Sequence, residues 1–143
     1  MQLTLYTDYS LRVMIYLAAH PGRVAPVSEI SAAFGVSSHH LAKVAKDLTA
    51  HGYLLARRGR DGGLSLARAP RAIGVAEVVQ KLESHELLEC FDRDQSRCRI
   101  TGYCRLERAL REARAAFFKV LEGYTLEDLV QNRPQLLTLL SRR

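Results

Sequence analysis

The chain is short of cysteine, and the number it has is odd: Cys90, Cys98 and Cys104, all within fifteen residues. An odd number of thiols with no evident export signal argues against a disulfide framework. Long apolar runs are missing as well. Residues 11–19 are apolar apart from Arg12. They are too short for a membrane span and lack the charged start and small-residue cleavage site of an export signal. A cytoplasmic location is therefore the expectation, and there glutathione keeps thiols reduced. Internal repeats and low-complexity tracts are absent. No Ser-His-Asp grouping, phosphate loop or paired-carboxylate pocket is visible, so an enzyme finds no support.

What is present is an uneven charge. The whole chain of 143 residues carries a formal +6. Residues 35–71 hold seven Lys/Arg against two Asp/Glu, and the rest is nearly balanced. A local basic segment is either a solvated face or the electrostatic footprint of nucleic-acid binding. The length suits one compact domain, or a small domain with an oligomerisation element.

Periodicity places the elements. Residues 7–20 read as a helix apolar on most of its surface, with Thr7 as N-cap and Asp8 in the first turn. His20-Pro21-Gly22 ends it. Residues 27–34 read as a short helix capped by Ser28, with Ile30 and Phe34 inward, and Gly35 makes the turn. Ser37 then caps a helix to about Ala50, whose Leu41, Val44 and Leu48 form one buried stripe. Helix, glycine turn, capped helix is the helix-turn-helix arrangement. Residues 53–58 and 64–67 flank a Gly-rich turn and read as a β-hairpin wing. Residues 73–82 are helical. Residues 83–103 are polar and irregular, a long loop that needs a functional reason to be ordered. From residue 104 to 122, Leu106, Leu110, Ala113, Phe117 and Val120 step by four, three, four and three, widened by Ala109, Ala116 and Leu121. That is a heptad seam, read as a dimer interface in preference to packing within one chain. Gly123 ends it, and residues 124–130 and 134–140 read as short terminal helices.

The expected fold is mainly α: a winged helix-turn-helix (residues 1–83), a cysteine loop (84–104), and a long dimerisation helix with terminal helices (105–143). The second helix of a helix-turn-helix lies in the major groove and reads bases with its N-terminal residues. The candidate DNA contacts are Ser37, Ser38, His39, His40 and Lys43, with Arg57, Arg58 and Arg60 on the wing. The paired histidines are ordinary surface or, in this context, base or phosphate contacts for at least one of them. The wing arginines suit a narrow minor groove or phosphate. Gly62-Gly63 serves the hairpin turn.

The cysteine spacing, Cys-x7-Cys-x5-Cys, is neither a zinc knuckle nor a ferredoxin run. Three thiolates close in sequence suit a metal or an iron–sulfur cluster, and Arg93, Arg97, Arg99 and Arg105 around them favour the ionised thiols. A fourth ligand could be Asp8, Asp92, Asp94, His85 or Glu107, or an exchangeable small molecule. Inert thiols or a redox switch are the alternative. A metal site joined to a DNA reader is most simply a sensor that controls transcription.

The chain resembles the winged-helix iron–sulfur regulator family that includes NsrR and IscR, and within it the nitric-oxide-sensing NsrR repressors most. The likeness is carried by Leu3-Thr4, Thr7-Asp8-Tyr9, Leu11-Arg12, the helix-turn-helix, Arg58-Gly59 with Gly62-Gly63, the cysteines, and the segment Tyr124 to Val130. It implies a homodimeric repressor with a 4Fe–4S cluster in each subunit. Cys90, Cys98 and Cys104 match the family's cysteine ligands, and Asp8 matches an aspartate donated from the other subunit. The first inter-cysteine gap is wider than is common in the family. Glu107 stands where IscR-like members carry a histidine, which counts against a 2Fe–2S cluster; Glu107 is still a candidate ligand, with a solvated helix residue the expectation. The function expected is a nitric-oxide-sensing repressor whose holo dimer binds operator DNA and releases it on cluster nitrosylation. The rivals are an IscR-like 2Fe–2S regulator and a thiol or zinc redox-sensing DNA-binding regulator.

Overall fold

Thr4 starts the first helix. In the computed structural model, which describes residues 3–83, 87–92, 94 and 96–141, its extended backbone leads into α1 (Leu5–Ala19) and its hydroxyl accepts the Thr7 N–H at 3.2 Å. The cap is thus one turn earlier than Thr7. Thr7 itself is fully buried, and a buried threonine serves as a poor solvent-facing cap. Val13, Met14, Tyr16, Leu17 and Ala18 are buried around α1, so neighbours in the same chain cover it on most sides.

The second helix, α2 (Val27–Phe34), starts behind Pro26 with no side-chain cap, and Ser28 lies inside its first turn. The reason is a long-range pairing. Ala25 forms a bridge with Leu64, each N–H donating to the other's carbonyl at 2.9 and 2.8 Å. The chain therefore enters α2 straight from the sheet. Gly35 closes α2 in the left-handed region at φ +62°, where glycine carries no Cβ penalty. Next comes α3 (Ser38–Ala50), with Ser37 at the N-cap position but making no side-chain cap bond; Leu41, Val44, Ala45 and Leu48 are its buried stripe.

The wing is an antiparallel hairpin of β1 (Leu54–Arg57) and β2 (Gly63–Leu66), in register Leu54 with Leu66 and Arg57 with Gly63. Gly63 passes so close to the Ala25 strand that a Cβ there would lie 2.5 Å from the Ala25 carbonyl oxygen. After a 3-10 turn (Pro70–Ala72) comes α4 (Val75–Leu82), burying Val75, Ala76, Val78 and Val79.

A second 3-10 turn (Glu89–Phe91) carries Cys90, and α5 (Arg105–Leu121) follows. Its heptad seam is largely uncovered within one chain: Leu106 and Val120 are 60% and 62% exposed. The segment expected as a helix at residues 124–130 is instead extended at its start. Val75 N–H donates to Tyr124 O and Leu126 N–H to Ile73 O, both at 2.9 Å, before a 3-10 turn (Asp128–Val130). Backbone pairing with residues 73–75 outcompetes a helical turn there, and it sends Leu126 and Val130 into the interior of the head. The last helix, α6 (Arg133–Leu140), lays Leu136, Leu137 and Leu140 against the same interior. No helix among the described residues is long and apolar enough to cross a membrane.

Candidate functional site: a reading helix and a cysteine segment

The N-terminus of α3 is presented to solvent. Ser37, Ser38, His39, His40 and Lys43 are all exposed, while the opposite face of the helix is the buried stripe. Its orientation is set from behind. The Tyr6 hydroxyl of α1 donates to Asp47 at 2.6 Å, and burial together with that bond raises the Tyr6 phenol above its ordinary pKa. The Tyr9 ring stacks on His40 with centroids 6.4 Å apart. Ser38 donates to Ser31 at 2.8 Å, joining the two helices of the motif. The Tyr16 hydroxyl donates to Glu29, which also receives both terminal nitrogens of Arg23 at 2.8 Å. On the wing, Arg57 ends β1 and Arg58 and Arg60 stand in the turn, all exposed. The eight residues singled out from sequence stand exposed on two projections, a helix end and a hairpin tip.

Around the cysteines the architecture is different. Cys90 is buried, Cys98 exposed and Cys104 half-buried. Cys104 occupies the N-cap of α5, where its sulfur accepts the Glu107 N–H at 3.5 Å. Burial pushes the Cys90 thiol up, and the negative charges of Glu107, Cys98 and Cys104 add to the effect. Short polar links shape the rest of the loop: Glu89 accepts the Arg97 N–H at 2.6 Å, Thr101 donates to Cys98 O at 2.8 Å, and Asp92 accepts the Asp94 N–H at 3.0 Å.

The candidates for a fourth ligand separate. Asp8 is held by Arg12 one turn on, at 2.7 and 3.0 Å. Asp92 is engaged in its own turn and Asp94 is exposed. His85 and Arg93 lie outside the described residues. Glu107, expected in solvent, is 6% exposed and pairs with Arg111 at 3.0 Å, because the cysteine segment folds back over the first turns of α5. As the side chains stand, no group of three or more His, Cys, Asp or Glu among the described residues is gathered tightly enough to hold a metal ion. The donor chemistry nonetheless fits an iron–sulfur cluster: three soft sulfurs on one segment, one of them at a helix N-terminus.

Two polar hubs escaped the sequence reading. One is the Glu107–Arg111 pair, whose only advance signal is an i,i+4 spacing. The other is Glu83, the residue after α4, which accepts the Thr4 N–H at 2.7 Å and the Thr4 hydroxyl at 3.0 Å. It joins the start of the cysteine segment to the start of α1, across a sequence separation that no local pattern reveals.

Comparison with known proteins agrees with this architecture. A regulator named HTH-type transcriptional regulator NsrR from Shouchella clausii is 44% identical over 98% of this chain and 95% of its own length. The NsrR of Bacillus subtilis is 43% identical over 100% and 99%. Among solved structures, IscR of T. potens superposes with a TM-score of 0.75 at 22% identity, covering 92% of this chain and 88% of that one, a likeness of fold alone. The global cysteine regulator CymR of B. subtilis gives 0.65 at 27% identity over 92% and 98%. These relatives are named as regulators of transcription, not enzymes. With a winged helix-turn-helix in place and the Rrf2 profile, described as an iron-dependent transcriptional regulator, matching residues 3–132, the chain belongs to the Rrf2 family of transcriptional regulators.

Proposed function

We propose that this regulator is a homodimeric, nitric-oxide-sensing iron–sulfur repressor. The observation that carries the reading is the grouping of Cys90, Cys98 and Cys104 on one segment between α4 and α5, with Cys104 at the N-cap of α5. The naming of the relatives as NsrR supports it. Cys90, Cys98 and Cys104 would hold a 4Fe–4S cluster, with Asp8 donated from the other subunit as the fourth ligand. When bound, such a cluster supplies iron that reacts with nitric oxide. To reach a metal, Asp8 gives up its pair with Arg12, an exposed i,i+4 contact of the kind worth only about 0.3–0.5 kcal/mol.

DNA binding falls to the two exposed projections. Ser37, Ser38, His39, His40 and Lys43 enter a major groove, and Arg57, Arg58 and Arg60 meet phosphate or a minor groove. Dimerisation places two such heads on a partly palindromic operator, and the exposed seam of α5 supports a dimer contact there. The route between sites runs through α1. Glu83 grips its start at the mouth of the cysteine segment, and Tyr6, two residues beyond the Thr4 cap, grips α3. A change in the cysteine segment is thereby conveyed to the reading helix. By linkage, operator DNA equally favours the cluster-bound state.

The test is an anaerobic absorbance spectrum with iron and sulfide counts, joined to operator binding before and after nitric oxide. About four irons and four sulfides per chain, with DNA released on treatment, is the expected result. About two of each identifies an IscR-like 2Fe–2S regulator instead. Neither metal nor sulfide after reconstitution defeats the cluster reading.

A further inference from the structure

We propose that Arg111 is the positioning residue of the cysteine segment: paired with buried Glu107, it fastens the Cys90 turn to α5, so that Cys90 and Cys104 are set at one end of a rigid helix before any metal binds. The proposal rests on the cluster reading above and names the group that prepares that site.

The guanidinium contacts both α5 and the Cys90 turn. Its Nε donates to Glu107 Oε1 at 3.0 Å. One terminal nitrogen reaches the carbonyls of Cys90 and Phe91, each at 3.4 Å. Its Cζ lies 4.3 Å from the centre of the Phe91 ring, an arginine-on-aromatic stack. The two carbonyls close the 3-10 turn Glu89–Phe91, the end of a helical turn where a cation is electrostatically favoured. Glu107 extends the same fastening. Its other oxygen receives the Gly102 N–H at 3.4 Å, and its own N–H donates to the Cys104 sulfur. One ion pair thus touches the turn of Cys90, the turn that follows Cys98, and the cap at Cys104. Apart from the 3.0 Å ion pair, each contact is at the long end of hydrogen bonding, so the hold comes from their convergence on one pair.

The chemistry explains why an ion pair stands there. Glu107 is a nearly buried carboxylate, and a buried charge left without a partner is costly. Arg111 supplies the compensating charge while remaining 41% exposed in its side chain, so the pair avoids full desolvation. A long irregular loop loses much conformational freedom when it folds around a ligand. Anchoring one cysteine turn beforehand lowers that cost, as preorganising residues around a metal site do. The neighbouring pair Arg108–Glu112 sits on the same helix with side chains 84% and 69% exposed. Its bond runs along α5 alone, which makes it the control.

The experiment uses the full chain as Arg111→Ala, Arg111→Lys and Arg108→Ala, with helical content checked by circular dichroism. In reduced, metal-free protein, maleimide alkylation is followed cysteine by cysteine. Arg111→Ala should speed labelling of buried Cys90 about tenfold, the signature of local opening, and leave exposed Cys98 unchanged. Arg111→Lys keeps the charge but loses the planar fork and should fall between. Arg108→Ala should match the parent. After reconstitution, Arg111→Ala should retain its iron and sulfide about ten times less well than the parent. Equal Cys90 labelling in parent and Arg111→Ala overturns the proposal, as does faster labelling with unchanged metal retention. If Arg111→Ala loses its helical content, Arg111→Lys alone decides by the same two readouts. A parent that takes up no iron defeats the cluster reading, while the labelling comparison still reports on the anchor.

Discussion

The reading head and the cysteine segment are held by different forces. In the head, α1, α3, the wing and the returning residues Leu126 and Val130 share one apolar interior, with Met14, Ile30, Leu41, Leu48 and Leu54 fully buried. Between residues 87 and 121 the buried side chains among the described residues are Cys90 and Glu107, and the fastenings are carboxylates, hydroxyls and one arginine. Burial of carbon is non-directional and hard to undo, whereas each polar link is weak and reversible. A packed head joined to a segment held by reversible links suits the proposed sensing role, and the division is visible in the side chains.

The sharpest way to break the contrast is to remove carbon from the head. Leu48→Ala should lower global stability by about 2–5 kcal/mol, because its buried site cannot collapse fully around alanine. Equilibrium denaturation reads this directly. The same change at Val120 on the exposed seam should move the isolated chain by no more than about 0.5 kcal/mol, and a larger loss would place that seam inside one chain.

Next in size is Gly63→Ala. The added methyl would collide with the Ala25 carbonyl, so the bridge between Ala25 and Leu64 must shift. A loss of about 1–3 kcal/mol is expected, of the order found for overpacked sites. Hydrogen exchange at the Leu64 amide should accelerate with it.

Tyr6→Phe removes one hydrogen bond to Asp47 and should cost about 1 kcal/mol. Its interest lies in the operator, since the bond orients α3. Weakened DNA binding beyond the loss of folded protein would show that orientation matters.

A smaller effect concerns acid. Burial by itself would raise the Glu83 carboxyl, but bonds from the Thr7 hydroxyl, the Thr4 N–H and the Thr4 hydroxyl hold it below its ordinary value. Such a group contributes its stability above the unfolded carboxylate pKa, about 4.3, and loses it as the pH falls through the depressed folded value. Unfolding measured from neutrality into this range should show the loss, and Glu83→Gln should flatten it. An unchanged profile in that variant would remove Glu83 from the junction between α1 and the cysteine segment.

Much of the head was legible in advance. Leu41, Val44 and Leu48 repeat at helical spacing, and two short runs around glycines announce the hairpin. Helix starts were less so. Thr4 and Thr7 stand one turn apart and both suit a cap, and burial of Thr7 selects Thr4. Ser28 yielded to Pro26 because Ala25 is fastened to the wing. At the candidate site the cysteines announced themselves by their grouping. The burial of Glu107, the reach of Arg111 to Cys90 and the grip of Glu83 on Thr4 did not, since each joins groups far apart along the chain or depends on how a loop lies.

Periodicity, turn residues, charge clustering and cysteine spacing were determined by the sequence alone, because they arise from neighbours within a few residues. The extended pairing of residues 124–126 with 73–75, the covering of Glu107 and the anchoring of the Cys90 turn were decided only by tertiary structure. Local propensity there is weak or divided, and the choice goes to whichever distant partner satisfies the backbone and the buried charge.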